Sequence, residues 1–194
     1  MSINDGKLNG GSLGIWKNEN RGMIRNCRIY NNTFYNSLEE GSNIWLYDHY
    51  TGFQFMNNVF MYDGSLISGN TSPGNELFLG NLYWNLSGDP SLQGYGDLSE
   101  WASAEGKEML GNRFVGLYQD PGLPLTGMWE IDDPLTVLPE NLEMITPGED
   151  SPVVDRGVNL KNLFQIEPGS FDIEGNPVPF GKEYDIGAVE YFQQ

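Results

Sequence analysis

The hydrophobic and polar positions of the chain repeat in three short stretches that share one pattern. The stretches are 29–35, 55–61 and 78–84, which read Ile-Tyr-Asn-Asn-Thr-Phe-Tyr, Phe-Met-Asn-Asn-Val-Phe-Met and Phe-Leu-Gly-Asn-Leu-Tyr-Trp. Their alignment places Asn32, Asn58 and Asn81 in one column, with spacings of 26 and 23 residues. Each stretch predicts a strand, a polar corner and a second strand. Self-similarity at this period predicts a stacked β solenoid, because one such unit cannot bury its apolar face alone.

Alternation at the strand period of two predicts which side chains of these units face the core. The inward side chains are predicted to be Cys27, Ile29, Phe34, Phe53, Phe55 and Phe60, and the outward ones Arg28, Tyr35 and Gln54. Asparagine suits the corner because it tolerates a left-handed backbone and its amide bonds locally. At a strand spacing of about 4.8 Å, Asn32, Asn58 and Asn81 are therefore expected to form a ladder of hydrogen-bonded amides.

The Asn-x-Phe corners resemble the repeats of right-handed parallel β-helix proteins of the pectate-lyase-like class, which is rich in secreted polysaccharide lyases and glycosidases. The resemblance implies an all-β fold, namely a right-handed single-stranded parallel β-helix. We expect a short solenoid of about three or more coils, with an irregular C-terminal capping tail and one short helix.

Three phrases near the C-terminus carry a second resemblance. They are Ser-Pro-Val-Val-Asp-Arg-Gly at 151–157, Asp-Ile-Glu-Gly-Asn-Pro-Val-Pro at 172–179 and Tyr-Asp-Ile-Gly-Ala-Val-Glu-Tyr at 184–191. Their order resembles the C-terminal end of bacterial surface β-helix proteins of the choice-of-anchor Q kind, many of them from Bacteroidetes. The resemblance implies a secreted or cell-surface protein in which these phrases are structural. Asp155, Asp172 and Asp185 are accordingly predicted to accept backbone N–H bonds in tight turns.

We expect one domain, with coils in residues 1–88 and a loop-rich tail in residues 89–194 packed on the last coil. After residue 84 the repeat pattern stops. A short helix is predicted there, with Asp97 as N-cap, Glu100 three residues on, Trp101 beneath and Gly106 as its end. Residues 1–13 contain no amphipathic helix to cap the first coil. We therefore expect the C-terminal part of a longer solenoid, with upstream coils or a second copy at the open N-terminal end.

Composition agrees with a turn-rich β protein, since the 194 residues include 25 glycines and 11 prolines. No apolar run of about 18 residues is present, so no membrane insertion is expected. Residues 1–8 lack the basic start and apolar centre of a signal peptide, so either the protein is cytosolic or its leader is absent from this chain. The single cysteine, Cys27, excludes an internal disulfide and is predicted to be a buried thiol.

The charge distribution limits the classes of molecule that this protein is expected to bind. The formal net charge is −17, which argues against nucleic acid or an anionic membrane as a partner. Half of the ten basic residues nevertheless lie in the first 28 positions, beside only two acids. That segment carries +3 and the remainder −20.

Two Ile-Trp pairs open successive coils and predict a carbohydrate-binding surface. If Ile15 and Ile44 face the core, Trp16 and Trp45 face outward, and Tyr47 continues the outward aromatic residues. Such rings stack on the apolar faces of sugars while polar neighbours bind the hydroxyls. The alternative is that a loop or upstream coils cover these rings.

Catalytic residues are the least specific prediction. A lyase of this fold class needs a base and a cation beside a uronate carboxylate, for which Lys17, Arg21 and His49 are the candidates. The alternative for His49, the only histidine, is a loop position without a role. No metal or cofactor motif is present. The acids at 130–133 and 149–150 have the oxygen ligands that calcium binds, but their spacing matches no calcium loop and favours solvated surface charge.

The sequence thus favours a secreted or surface β-helix segment that binds polysaccharide and belongs to a larger carbohydrate-active protein. A polysaccharide lyase or glycoside hydrolase acting on acidic glycans is one alternative. A structural surface module without a ligand is the other.

Overall fold

The computed structural model describes residues 2–3, 11–15, 24–36, 42–46, 50–69, 76–124 and 139–192, and this part of the chain is mostly β-structure. The strands are β1 (Ser2–Ile3), β2 (Gly11–Ile15), β3 (Ile24–Arg25), β4 (Arg28–Tyr30), β5 (Thr33–Asn36), β6 (Ser42–Leu46), β7 (Tyr50–Thr51), β8 (Gln54–Met56), β9 (Val59–Tyr62), β10 (Ser65–Ser68), β11 (Leu77–Leu79), β12 (Leu82–Asn85), β13 (Met109–Leu110), β14 (Arg113–Phe114) and β15 (Leu117–Tyr118). The helices are α1 (Leu98–Glu105), α2 (Leu160–Phe164) and a 3-10 helix at Pro139–Ile145.

Three parallel sheets carry the predicted repeats. Sheet 1 has the strand order β1-β5-β9-β12-β15, sheet 2 the order β10-β6-β2, and sheet 3 the order β11-β8-β4. Strands β3 and β7 form a further parallel pair, and β13 with β14 forms an antiparallel hairpin. The three predicted stretches each contribute one strand to sheet 3 and the next to sheet 1, so the expected alignment is confirmed in the strand register.

The aromatic residues of the repeats stack inside, on the core side predicted for Phe34, Phe55 and Phe60. Phe34 lies 5.2 Å from Phe60 between ring centroids, and Phe60 lies 5.6 Å from Tyr83, with the rings nearly parallel. Phe55 and Phe78 form a second stack at 4.6 Å. All five rings belong to one buried cluster, and the burial of apolar surface drives its formation.

Helix α1 closes one end of this aromatic core. The Asp97 carboxylate accepts the N–H of Glu100 at 2.8 Å, and Gly106 ends the helix with a left-handed φ of 65°. Both caps were predicted. Trp101 is fully buried and meets Phe78 at 5.2 Å and Tyr83 at 5.9 Å, so a single indole covers both stacks edge-on.

The C-terminal part of the chain covers the outer faces of sheets 1 and 3. Ile186 and Val189 pack with Tyr35, Val59, Met61 and Leu82 of sheet 1. Val158, Leu160 and Ile166 pack with Met56 and Leu79 of sheet 3.

This covering corrects one prediction. Tyr35 does lie in a different apolar cluster from its neighbour Phe34, but it is buried rather than exposed, because the C-terminal segment packs on it. Arg28 is exposed and Gln54 is half-buried. Alternation alone cannot show whether a second layer covers the outward face.

Strand pairing extends beyond the three repeats in both directions. Ser2 and Ile3 pair with Phe34 and Tyr35, so strand structure begins before the first of the three repeats. At the other end, Leu117 and Tyr118 of β15 pair with β12. The repeat pattern that stops in the sequence after residue 84 therefore continues in sheet 1, after an excursion that includes α1 and the hairpin. No helix in the described ranges is long and apolar enough to span a membrane.

Candidate functional site

Of the residues predicted to bind carbohydrate, only Trp45 lies in the described part of the chain. Trp16 and Tyr47 lie outside the described residues, as do the catalytic candidates Lys17, Arg21 and His49. Trp45 is half-buried on β6, the central strand of sheet 2, between Ile44 and Leu46, which are both buried in the core.

The two Ile-Trp pairs do not align with each other in the register of sheet 2. Gly14, not Trp16, lies beside Trp45 on β2, and Ser68 lies beside it on β10. Repetition of Ile-Trp along the sequence suggested a register two residues away, but pairing follows the core side chains, and Leu13 aligns with Ile44.

The small neighbours of Trp45 shape the surface around it. Gly14 has no side chain, and the Ser68 hydroxyl is held 2.8 Å from that of Ser42. The in-register neighbours of Trp45 on both adjacent strands therefore carry no bulky side chain. Trp45 also belongs to none of the three apolar clusters formed by the described residues. An indole so placed can stack on a sugar ring.

The predicted asparagine ladder is present. Asn32 Nδ2 donates to Asn58 Oδ1 at 3.2 Å, and Asn58 Nδ2 donates to Asn81 Oδ1 at 3.0 Å. The backbone N–H groups of Asn32 and Asn58 donate to the same two oxygens at 3.1 and 2.9 Å. The left-handed residues of the corners are those one position earlier, Asn31 and Asn57, with φ of 52° and 51°.

The ladder ends on a residue that sequence analysis missed, the fully buried Glu108. Its carboxylate accepts from Asn81 Nδ2 at 2.7 Å, Tyr83 Oη at 2.5 Å and Gly80 N at 2.5 Å. Burial raises the pKa of Glu108 to about 7 despite these hydrogen bonds. The available signal was its position 27 residues after Asn81, one further repeat along.

Acidic residues of the C-terminal phrases accept backbone hydrogen bonds in turns, as predicted. Asp155 Oδ1 accepts the N–H groups of Lys182 and Glu183 at 2.6 and 2.8 Å. Asp185 accepts those of Asp155 and Tyr191 at 2.7 and 2.6 Å. Asp172 also accepts backbone N–H groups within its turn.

Two of the acids in this region have displaced pKa values. Burial raises the pKa of Asp185 to about 6 and that of Glu190 to about 7. Glu190 accepts the N–H of Phe180 at 3.0 Å and that of Asp185 at 3.3 Å. Because these carboxylates already bind backbone donors, they are structural groups rather than a free acid and base.

A pocket of about 260 Å³ lies beside Asp172 and Glu190, between the repeat corners and the C-terminal segment. The Oδ1 atom of Asn31, which lines it, is buried and has no hydrogen-bond partner among the described residues. Phe171 at its wall is 66% exposed. The pocket therefore offers an acceptor and an aromatic face, but both of its carboxylates are engaged.

No group of three or more His, Cys, Asp and Glu side chains able to hold a metal ion occurs among the described residues. Glu149 and Asp150 are exposed, whereas residues 130–133 lie outside the described ranges. No protein-family model matches the chain, and no curated protein sequence matches it.

Proposed function

We propose that this chain is a segment of a right-handed parallel β-helix whose function is to bind polysaccharide. The architectural part of the proposal is supported by parallel sheets in which successive repeats align residue by residue. The continuous hydrogen-bonded column from Asn32 to Glu108 also supports it, since stacked corners at strand spacing bring equivalent side chains together.

Binding is proposed for the face of sheet 2 that carries Trp45, with Trp16 and Tyr47 as further contributors. The observation that carries the proposal is the half-buried indole of Trp45 on a central strand, with Gly14 and Ser68 as its in-register neighbours. A parallel sheet surface bearing an aromatic ring between small residues can seat the flat face of a sugar.

Binding without cleavage is the form of the function that the described side chains favour. The buried carboxylates Glu108, Asp185 and Glu190 have raised pKa values, but each accepts hydrogen bonds from the protein itself. A glycosidase needs two carboxyl groups that flank the substrate. A lyase or hydrolase remains the alternative, with Lys17, Arg21 and His49 as its candidates.

A secreted or cell-surface location and an attachment to further coils belong to the same proposal. Among the described strands, β1, β2 and β4 lie at the edges of sheets 1, 2 and 3. Unpaired strand edges favour addition of further strands, whether from upstream coils or from a second copy.

The experiment is calorimetric titration of the chain against a panel of acidic and neutral polysaccharides. Trp45→Ala is expected to weaken binding at least about tenfold, because a stacked ring is lost, whereas Trp45→Phe retains most of the affinity. Trp16→Ala combined with Trp45→Ala should weaken it further. Binding that survives the double change at full strength removes this face from the proposal, and release of unsaturated, ultraviolet-absorbing product establishes the lyase instead.

A further inference from the structure

A second and larger concavity separates the β13–β14 hairpin from the segment 155–163. It has a volume of about 690 Å³, within the range of small-ligand sites. The side chains that matter for its chemistry are Arg113 and Phe114 on the hairpin, and Arg156, Asn162 and Leu163 on the opposite wall. None of them belongs to the Trp45 face, and we call this concavity the arginine groove.

Both walls of the arginine groove are anchored to the repeats. The hairpin is tied at its base by the bond from Val115 N to Glu108 O at 2.9 Å. The opposite wall is held where Val158 N donates to Asn57 Oδ1 at 2.8 Å and Gly157 N donates to Tyr184 O at 2.7 Å. Anchored walls reduce the ordering cost of binding.

The charge of the groove is unusual for this chain. Only five basic residues follow position 28, and two of them are ion-paired: Lys107 with Glu76 at 3.5 Å and Lys161 with Glu167 at 3.0 Å. The side chains of Arg113 and Arg156 are exposed and form no ion pair or hydrogen bond with any described residue. Two of the three basic residues that are left, Arg113 and Arg156, thus line one groove of a strongly acidic protein.

The two acidic residues that line the groove, Asp155 and Glu183, differ in their hydrogen bonding. Asp155 Oδ1 already accepts two backbone N–H groups of the turn that it organises. Glu183 is exposed at the margin. Arginine presents a planar set of donors that matches a carboxylate or sulfate in two-point contact. Acids exposed to water at the margin of the groove do not block this contact.

Apolar surface accompanies the arginines. Phe114 is 42% exposed and Leu163 is 39% exposed, although most large apolar side chains of the described part are buried. The Phe114 ring can cover the apolar face of a sugar, while the Asn162 amide can bind its hydroxyl groups.

We propose that the arginine groove binds an anionic saccharide, with Arg113 and Arg156 on its carboxylate or sulfate group and Phe114 against its ring. The site is separate from the Trp45 face, so the proposal does not depend on binding there. It requires an anion and a ring in the same ligand, because the groove offers paired cations beside an aromatic surface.

The test is isothermal titration of the full chain with four probes: an oligosaccharide of uronic acids, a sulfated oligosaccharide, a neutral oligosaccharide of the same length, and polyglutamate. One or both anionic saccharides are expected to bind, and the two arms identify carboxylate or sulfate as the anion. Arg113→Ala with Arg156→Ala should weaken this binding at least about tenfold, and Phe114→Ala should weaken it several-fold. The charge-matched control, Arg25→Ala with Lys182→Ala, should change it less than about twofold, since these residues do not line the groove.

Four results overturn the proposal. They are equal binding of the neutral saccharide, equal binding of polyglutamate, an unchanged affinity in the Arg113 and Arg156 double variant, and no binding of either anionic saccharide by folded protein. Trp45→Ala separates the two sites: loss of anionic binding in that variant, with retention in the arginine variant, assigns the ligand to the Trp45 face alone.

Discussion

The side-chain amide of Asn57 exchanges two hydrogen bonds with the backbone of Val158, 101 residues later in the chain. Asn57 Nδ2 donates to Val158 O at 2.9 Å, and Val158 N donates to Asn57 Oδ1 at 2.8 Å. The Asn57 carbonyl in addition accepts the N–H of Gly187 at 2.9 Å. One buried corner residue of the second repeat therefore attaches two parts of the C-terminal segment.

Asn57→Ala is expected to reduce the free energy of unfolding by about 3 to 4 kcal/mol. The loss combines two unsatisfied buried backbone groups with the cost of a left-handed alanine. Asn31→Ala is the matched control, because Asn31 has nearly the same φ but its side-chain oxygen has no partner in the described part of the chain. This change should cost only about 1 kcal/mol. Urea denaturation measures both, and equal losses would mean that the bonds to Val158 contribute nothing.

Phe60→Ala is expected to cost about 3 to 5 kcal/mol, because it leaves a cavity between the rings of Phe34 and Tyr83. Phe171→Ala, which removes a phenyl group that is 66% exposed, should change the stability by less than about 0.5 kcal/mol. Guanidinium titrations provide the comparison. A loss below about 1 kcal/mol for Phe60→Ala contradicts its place in the core.

The buried carboxyl group of Glu108 is expected to make the protein less stable as the pH rises. Its pKa rises from 4.5 to about 7 on folding. Below about pH 4.5 the carboxyl group is protonated in both states. Between about pH 4.5 and 7 the unfolded chain releases the proton while the folded chain holds it, so rising pH lowers stability by up to about 3 kcal/mol.

Glu108→Gln isolates this effect, because Asp185 and Glu190 titrate alike in both proteins. The stability of the variant relative to the native chain should increase as the pH is raised from about 4.5 to about 8. Urea midpoints at three pH values measure the difference. A difference between the two proteins that stays constant over this range shows that Glu108 does not titrate anomalously.

Removal of residues 184–194 is expected to yield an insoluble or protease-sensitive protein, because it uncovers the outer face of sheet 1. Ile186→Ala tests the same contact with a smaller change and should lower the free energy of unfolding by about 2 to 5 kcal/mol. Ile173→Ala serves as its control, since Ile173 is 52% exposed in the same segment. A soluble truncated chain with an unchanged melting temperature contradicts the packing.

Local pattern in the sequence was enough for the repeats and their interior. The Asn32, Asn58 and Asn81 column, the Phe34, Phe60 and Tyr83 stack and the caps of α1 each depend on residues close in sequence or on a regular period. Tyr191 shows the limit of this reasoning, since it follows the buried Ile186 and Val189 in the same C-terminal phrase but is only half-buried.

Tertiary structure decided what covers the sheets and what ends the ladder. Tyr35 is buried because a segment more than 100 residues away packs on it, and Glu108 takes the fourth ladder position after an excursion that hides the repeat. Arg113 and Arg156 face one groove only because the hairpin and the C-terminal segment are docked on the same repeats. Periodicity records which side of a strand a residue occupies, whereas contacts between distant segments depend on complementary surfaces that no local pattern encodes.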